Sequence, residues 1–187
     1  MRMTATKTHH GKGAHAPVPH SVHTTLIFFI LALGAFAIGT AEFAAMSLVP
    51  MISTGMHVSV PQAGHAIEAY AAGVCVGAPL IAMLGARQSR KYLLIGMMLL
   101  YVLGNGLTAL APNYVCLLLC RFISGLPHGA YFGTAGIVAS SLVPENRRTQ
   151  AVARVVLGLT IATIGGVPMA NGLGLVVGWR WAFVLIA

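Results

Sequence analysis

The run Leu26–Val49, LIFFILALGAFAIGTAEFAAMSLV, is apolar from end to end except for one carboxylate, Glu42. As a helix rising about 1.5 Å per residue it outreaches the roughly 30 Å hydrocarbon layer of a bilayer. An acid about two-thirds of the way along such a helix is costly unless it faces a protein interior or a wet cavity. Glu42 is therefore a candidate functional residue, and the rest of the chain is expected to supply the cavity.

Composition agrees with a membrane setting. Of 187 residues, 57% are hydrophobic and 7% charged. A soluble domain carries about a quarter charged residues, so this chain has too few to wet a globular surface. The formal charge of +8 comes from eleven Lys/Arg against three acids. The cations sit in short loops beside apolar runs, which is the pattern of a topology signal and not of a nucleic-acid surface. Cys75, Cys116 and Cys120 all lie inside apolar segments, so no disulfide framework is expected. Cys116 and Cys120 share a helix face and read as packing residues.

Residues 1–23 are rich in Thr, Gly, Pro and His and read as a disordered cytoplasmic tail. The following apolar run is too long for a secretory signal and ends in no small-residue cleavage site. The irregular spacing of His9, His10, His15, His20 and His23 fits a solvated tail better than a metal site.

Span 1 is expected to stop at Pro50, with residues 51–64 as a loop. Span 2 covers about Ala66–Leu84, span 3 Tyr92–Leu110, span 4 Tyr114–Leu142 and span 5 Val152–Leu175. Trp181–Ala187 begins a sixth apolar run of only about 10 Å, a third of the bilayer. The expectation is a chain truncated from something longer, the alternative being a short segment that ends at the interface.

The tail and the loops 85–91 and 144–148 hold Arg2, Lys7, Lys12, Arg87, Arg90, Lys91, Arg147 and Arg148, whereas the opposite side has only Arg180. The positive-inside rule places the N-terminus and both basic loops in the cytoplasm. Arg87, Arg90 and Lys91 could further cap helix C-termini and pair across a neighbouring helix end.

Span 5 carries Gly158, Ala162, Gly166, Ala170 and Gly174, a small residue every four positions. This draws a groove where another helix backbone can approach closely. Span 4 repeats the device with Gly125, Gly129 and Gly133, and span 2 with Gly73 and Gly77. Pro127 and Pro168 predict kinks. Asn105 and Asn171 are expected to hydrogen-bond between helices, and Glu68 to be a solvated carboxylate at the outer surface. Arg121 lies inside span 4, where its permanent charge requires a carboxylate, carbonyls or water. His128, seven residues on, shares its face.

No phosphate-binding Gly-rich loop, His-Glu-x-x-His or nucleophile elbow is present, and the chain contains no Asp. A membrane enzyme is poorly supported, no cofactor or metal is expected, and no ring of polar residues suggests a channel.

Four segments carry a resemblance to a known family. Gly39-Thr40-Ala41-Glu42-Phe43 is similar to a Gly-Thr-x-Glu-Phe pattern in a first span. Ala82-Met83-Leu84-Gly85-Ala86-Arg87-Gln88-Ser89-Arg90-Lys91 looks like a span 2–3 loop of the form Gly-x-Leu-Ala-Asp-Arg-x-Gly-Arg-Lys. It keeps the three cations and has Ala82, Ala86 and Ser89 where the pattern has Gly, Asp and Gly. Arg121 to Gly129, RFISGLPHG, contains the Arg-x-x-x-Gly of a fourth span, and Gly166-Val167-Pro168 is a loose form of a Gly-Pro antiporter motif. Over about Thr24–Ala187 the chain resembles the N-terminal half of a major facilitator superfamily transporter. The likeness is to the bacterial twelve-span drug:proton antiporters that include sugar, purine and chloramphenicol exporters.

The resemblance implies an all-α polytopic transmembrane helix bundle, with spans 1–3 and 4–6 as inverted repeats and spans 1 and 4 lining a central cavity. It implies Glu42, Arg121 and His128 as the proton-coupling or substrate-cavity residues, and Arg87, Arg90 and Lys91 as a conformational-switch loop. Gly125, Gly129, Gly158, Gly166 and Pro168 would serve helix packing and the antiporter motif. The implied partners are a small-molecule substrate, protons, the lipid bilayer and a second six-helix half; the implied location is a bacterial inner membrane. The contrasting expectation is a half that does not transport alone, acting as a homo-oligomer or as a partner of another bundle.

The orientation is directly measurable. In a cysteine-free background, Thr54→Cys should react with an impermeant thiol reagent added outside intact cells. Gln88→Cys should react only after the membrane is opened; reaction from outside at position 88 would reverse the topology.

Overall fold

The computed structural model describes residues 22–187; the tail histidines other than His23 lie outside these residues. The described chain is helical throughout, in the order α1 Val22–Met56, α2 Val60–Gly85, α3 Arg90–Leu110, α4 Tyr114–Ser141, α5 Arg148–Ile161, α6 Val167–Val177 and α7 Trp179–Ile186. A single 3-10 turn, Glu145–Arg147, leads into α5, and a wide π turn, Ala162–Gly166, joins α5 to α6. Five stretches are long and apolar enough to cross a membrane: α1, α2, α3, α4 and the continuous Glu145–Val177. The chain is an all-α polytopic bundle.

Local chemistry fixes the turns. Ser59 caps α2 and forms a reciprocal capping box with Gln62. Ser89 and Asn113 cap α3 and α4 through their side-chain oxygens. Gly178, between α6 and α7, has φ 103, a conformation that glycine adopts without penalty.

The first boundary differs from expectation. Pro50 does not stop α1, which runs on to Met56. A proline in a membrane helix removes one hydrogen bond without forcing an end where its surroundings tolerate it. The stop is made by His57 at φ 55, with Val58 N–H donating to the Ser53 carbonyl and His57 N–H to the Thr54 carbonyl. That pairing is a Schellman closure. The α1–α2 loop therefore shrinks from 51–64 to three residues, 57–59.

Pro127 leaves α4 unbroken. At Pro168 the backbone does respond: Val167 N–H reaches back five residues to the Ala162 carbonyl, so the turn before the proline widens.

The small-residue groove of span 5 is where α1 lies. Gly158, Ala162, Gly166, Ala170 and Gly174 are all buried. A methyl on Gly158 would run into the Ala32 carbonyl, and one on Gly166 into the Thr40 hydroxyl. The α2–α4 seam is built the same way. Added methyls on Gly73 and Gly77 would strike the Phe122 and Leu126 carbonyls, and one on Gly125 the Tyr70 carbonyl; one on Gly129 would crowd Ala78. Gly133 takes no part, having open space beside it.

The packing has an internal symmetry. Helix α2 lies on α4 as the α5–α6 span lies on α1, and α3 lies on α4 as the last span's companion α7 lies on α1. In each case a helix of one triplet packs on the first helix of the other, as inverted repeats require. Hydroxyls tie other helices to α1. Tyr101 of α3 donates to the Ala37 carbonyl at 2.5 Å within the first triplet, and Tyr131 of α4 donates to the Leu31 carbonyl at 2.9 Å across the two. Arg180 also bridges them, donating to the Ala111 carbonyl, the C-cap of α3, at 3.0 Å while lying over Trp179.

The polar amides behave otherwise than expected. Asn105 bonds within its own helix, its Nδ2 donating to the Tyr101 carbonyl at 3.0 Å, and its Oδ1 is buried with no partner among the described residues. Asn171 makes no side-chain hydrogen bond among the described residues.

Replacing Gly77 by Leu should cost roughly 1–3 kcal/mol, since the seam cannot widen without separating two helices. Gly96→Ala, with open space beside it, should stay within about 0.5 kcal/mol. Thermal unfolding of the purified chain in detergent reads both.

Candidate functional site

Glu42 sits in the C-terminal half of α1, five residues beyond the Tyr101-anchored Ala37 carbonyl. It is neither sunk in the bundle nor fully open: a third of its side chain is exposed. Met46, one turn further on, is open on the same side of α1. Facing Glu42 across the gap is His128 of α4, with Nε2 3.9 Å from Oε2. That separation exceeds a hydrogen bond and closes with a small side-chain shift or one bridging water.

His128 is held from behind. Its Nδ1 lies 3.0 Å from the Tyr70 hydroxyl on α2, and its ring packs against Tyr70 and Phe132. The close α2–α4 seam makes the Tyr70 contact possible, because Gly125 lets α4 approach the Tyr70 backbone. Tyr70 was not singled out by sequence. Its signal, an aromatic hydroxyl at membrane depth, becomes readable only once α2 and α4 are known to touch.

Arg121 is placed deeper than a cavity-lining role suggests. It is 1% exposed and lies within the bundle wall, behind Tyr70. Its Nε donates to the Ala66 carbonyl at 3.4 Å, and its guanidinium carbon lies 4.4 Å from the Tyr70 ring centroid and 5.3 Å from that of Phe183. No carboxylate pairs with it among the described residues, and its two terminal nitrogens donate to no partner there. Of the three expected partners (carboxylate, carbonyl or water) the fold supplies one carbonyl, and it adds two aromatic faces that the sequence did not point to. Glu42, His128, Tyr70 and Arg121 thus form one continuous line from an open face into the bundle wall.

The basic loop stands apart from this line. Arg87, Arg90 and Lys91 are exposed and make no ion pair or side-chain hydrogen bond among the described residues. The capping expectation is corrected: Arg90 and Lys91 occupy the first turn of α3, the wrong end of the dipole for a cation. Glu68 is exposed in the first half of α2. Cys75 is exposed and Cys116 and Cys120 are half-buried, all as free thiols.

An all-α membrane bundle with inverted triplets, and a carboxylate set against a histidine between the first helices of the two, has the build of a membrane transport protein. Residues 31–187 match the Major Facilitator Superfamily, and the chain belongs to that superfamily of transporters. It is 50% identical to the inner membrane transport protein YdhP of Escherichia coli (strain K12) over 157 residues, 84% of this chain and 40% of that protein. It is 41% identical over 161 residues to the putative transporter AraJ of the same organism, 86% of this chain and 41% of the relative. To a chloramphenicol resistance protein of Streptomyces lividans it is 35% identical over 162 residues, 87% of this chain and 41% of the relative. The chain spans about 40% of the length of these relatives.

Arg121→Lys keeps the charge and loses the flat stack between Tyr70 and Phe183. It should cost about 1–2 kcal/mol of bundle stability, measured by thermal unfolding in detergent; an unchanged midpoint would mean the stack contributes nothing.

Proposed function

We propose that this chain forms the N-terminal bundle of a proton-coupled exporter of small organic solutes in a bacterial inner membrane, with its N-terminus in the cytoplasm. The observation that carries the reading is the half-exposed Glu42 facing His128 at 3.9 Å between α1 and α4. A carboxylate there exchanges protons with water in the passage, and holds or releases them as the passage is hydrated from one side or the other. The name of the chloramphenicol resistance protein among the relatives supports export of an organic solute.

In this reading Arg121 supplies a fixed positive charge within the wall. The loop with Arg87, Arg90 and Lys91 moves with the change of access, its cations attracted to the anionic cytoplasmic leaflet. Gly158, Gly166 and Pro168 give the α1 seam a close, pliable fit, and Gly125 and Gly129 do the same at α4.

A second six-helix bundle completes the passage. Glu42 is open on the side away from the described helices, and the relatives extend well beyond the matched stretch. Alone, this chain forms one wall.

Glu42→Gln should abolish solute-driven proton movement, measured in everted membrane vesicles expressing the complete reading frame, while leaving membrane insertion intact. Undiminished proton movement would remove Glu42 from the coupling step.

A further inference from the structure

His128 has two ring nitrogens, and the fold gives each a different neighbour. Nδ1 is 3.0 Å from the Tyr70 hydroxyl, and Nε2 points at the Glu42 carboxylate. A neutral imidazole carries one proton, so one nitrogen donates and the other accepts. Two features choose between the tautomers, and they agree.

The first is Arg121. Its guanidinium lies on the Tyr70 ring at 4.4 Å. A cation on the ring face draws electron density from it, which makes the phenolic O–H a stronger donor and its oxygen a poorer acceptor. Tyr70 therefore donates to Nδ1. The second is Glu42: an ionised carboxylate is acceptor-only and favours an N–H opposite it. Both place the imidazole proton on Nε2. The groups that bear on this ring are Glu42 from α1, Tyr70 from α2 and, on its own helix, Phe132 by ring contact and Arg121 through Tyr70.

We propose that Tyr70 is a positioning residue that holds His128 in its Nε2–H tautomer, so that His128 stabilises Glu42 more strongly in its ionised form than in its protonated form. When Glu42 takes a proton it keeps a carbonyl oxygen that still accepts from Nε2–H, but a neutral carboxyl accepts more weakly than a carboxylate, and its O–H finds no acceptor on His128. That O–H turns toward the open face, where water in the passage accepts it. No bond beyond the O–H of Glu42 forms or breaks: the proton arrives from water in the passage and returns to it. The distant charge of Arg121 reaches Glu42 by this route, through a ring face, a hydroxyl and an imidazole. The importance of this device for transport rests on Glu42 carrying the proton; the tautomer itself does not.

The test is nitrogen-15 NMR of the histidine-labelled complete reading frame in lipid bilayers at neutral pH, with His128 signals assigned by difference from His128→Gln. The expected spectrum has an unprotonated, hydrogen-bonded Nδ1 and a protonated Nε2. Tyr70→Phe keeps the ring under Arg121 and removes the hydroxyl, and should turn the single tautomer into a mixture. The same variant should lower proton-driven transport about tenfold, equivalent to about 1.4 kcal/mol.

A protonated Nδ1 in the unmodified protein overturns the proposal whether or not the variant folds, as does a tautomer unchanged in Tyr70→Phe. Normal proton-driven transport by a Tyr70→Phe protein with mixed tautomers overturns the coupling role. Because the spectrum is read without transport, loss of the proton-coupling reading through Glu42→Gln would leave the tautomer assignment standing.

Discussion

A carboxylate has no tolerable place in hydrocarbon, and that constraint shapes the surroundings of Glu42. The first helix must carry it across the bilayer with one side kept polar, so α1 needs firm support on its other sides. The small-residue groove of α5 and α6 supplies this, letting α1 come within backbone contact along its length. Tyr101 and Tyr131 supply the rest by donating to the Ala37 and Leu31 carbonyls. With α1 held in this way, Glu42 faces His128.

Arg121 poses the complementary problem. A guanidinium cannot shed its charge, and the bundle offers it no carboxylate partner among the described residues. The aromatic faces of Tyr70 and Phe183 spread the charge without adding a second one, and the Ala66 carbonyl takes one N–H. Tyr70 is the point where the two problems join, touching Arg121 with its ring and His128 with its hydroxyl. Its position follows from the α2–α4 seam, where Gly73, Gly77, Gly125 and Gly129 bring the helices close enough for that reach.

Much of this was legible in the chain. The five spans, the basic loops and the small-residue period of span 5 depend on local composition and helical spacing, which one dimension records faithfully. Glu42 and His128 stood out because polar groups are rare at that depth. What escaped was pairing between segments. Tyr70, Tyr101, Tyr131 and Phe183 look like ordinary apolar-span aromatics until their partners, 58 to 100 positions away for the hydrogen-bonded tyrosines, are known. Pro50 misled because the rule that proline ends a helix belongs to water, where a freed carbonyl has a ready alternative. Asn105 misled because an amide N–H can donate to its own helix, one turn back.

The account stands or falls on which medium the position 42 side chain meets. Glu42→Cys in a cysteine-free background, assayed in membranes against a charged thiol reagent and against a lipid-dissolved one, decides it. Rapid modification by the charged reagent, slowed by a transported solute, is the predicted result. Modification by the lipid-dissolved reagent alone would contradict it.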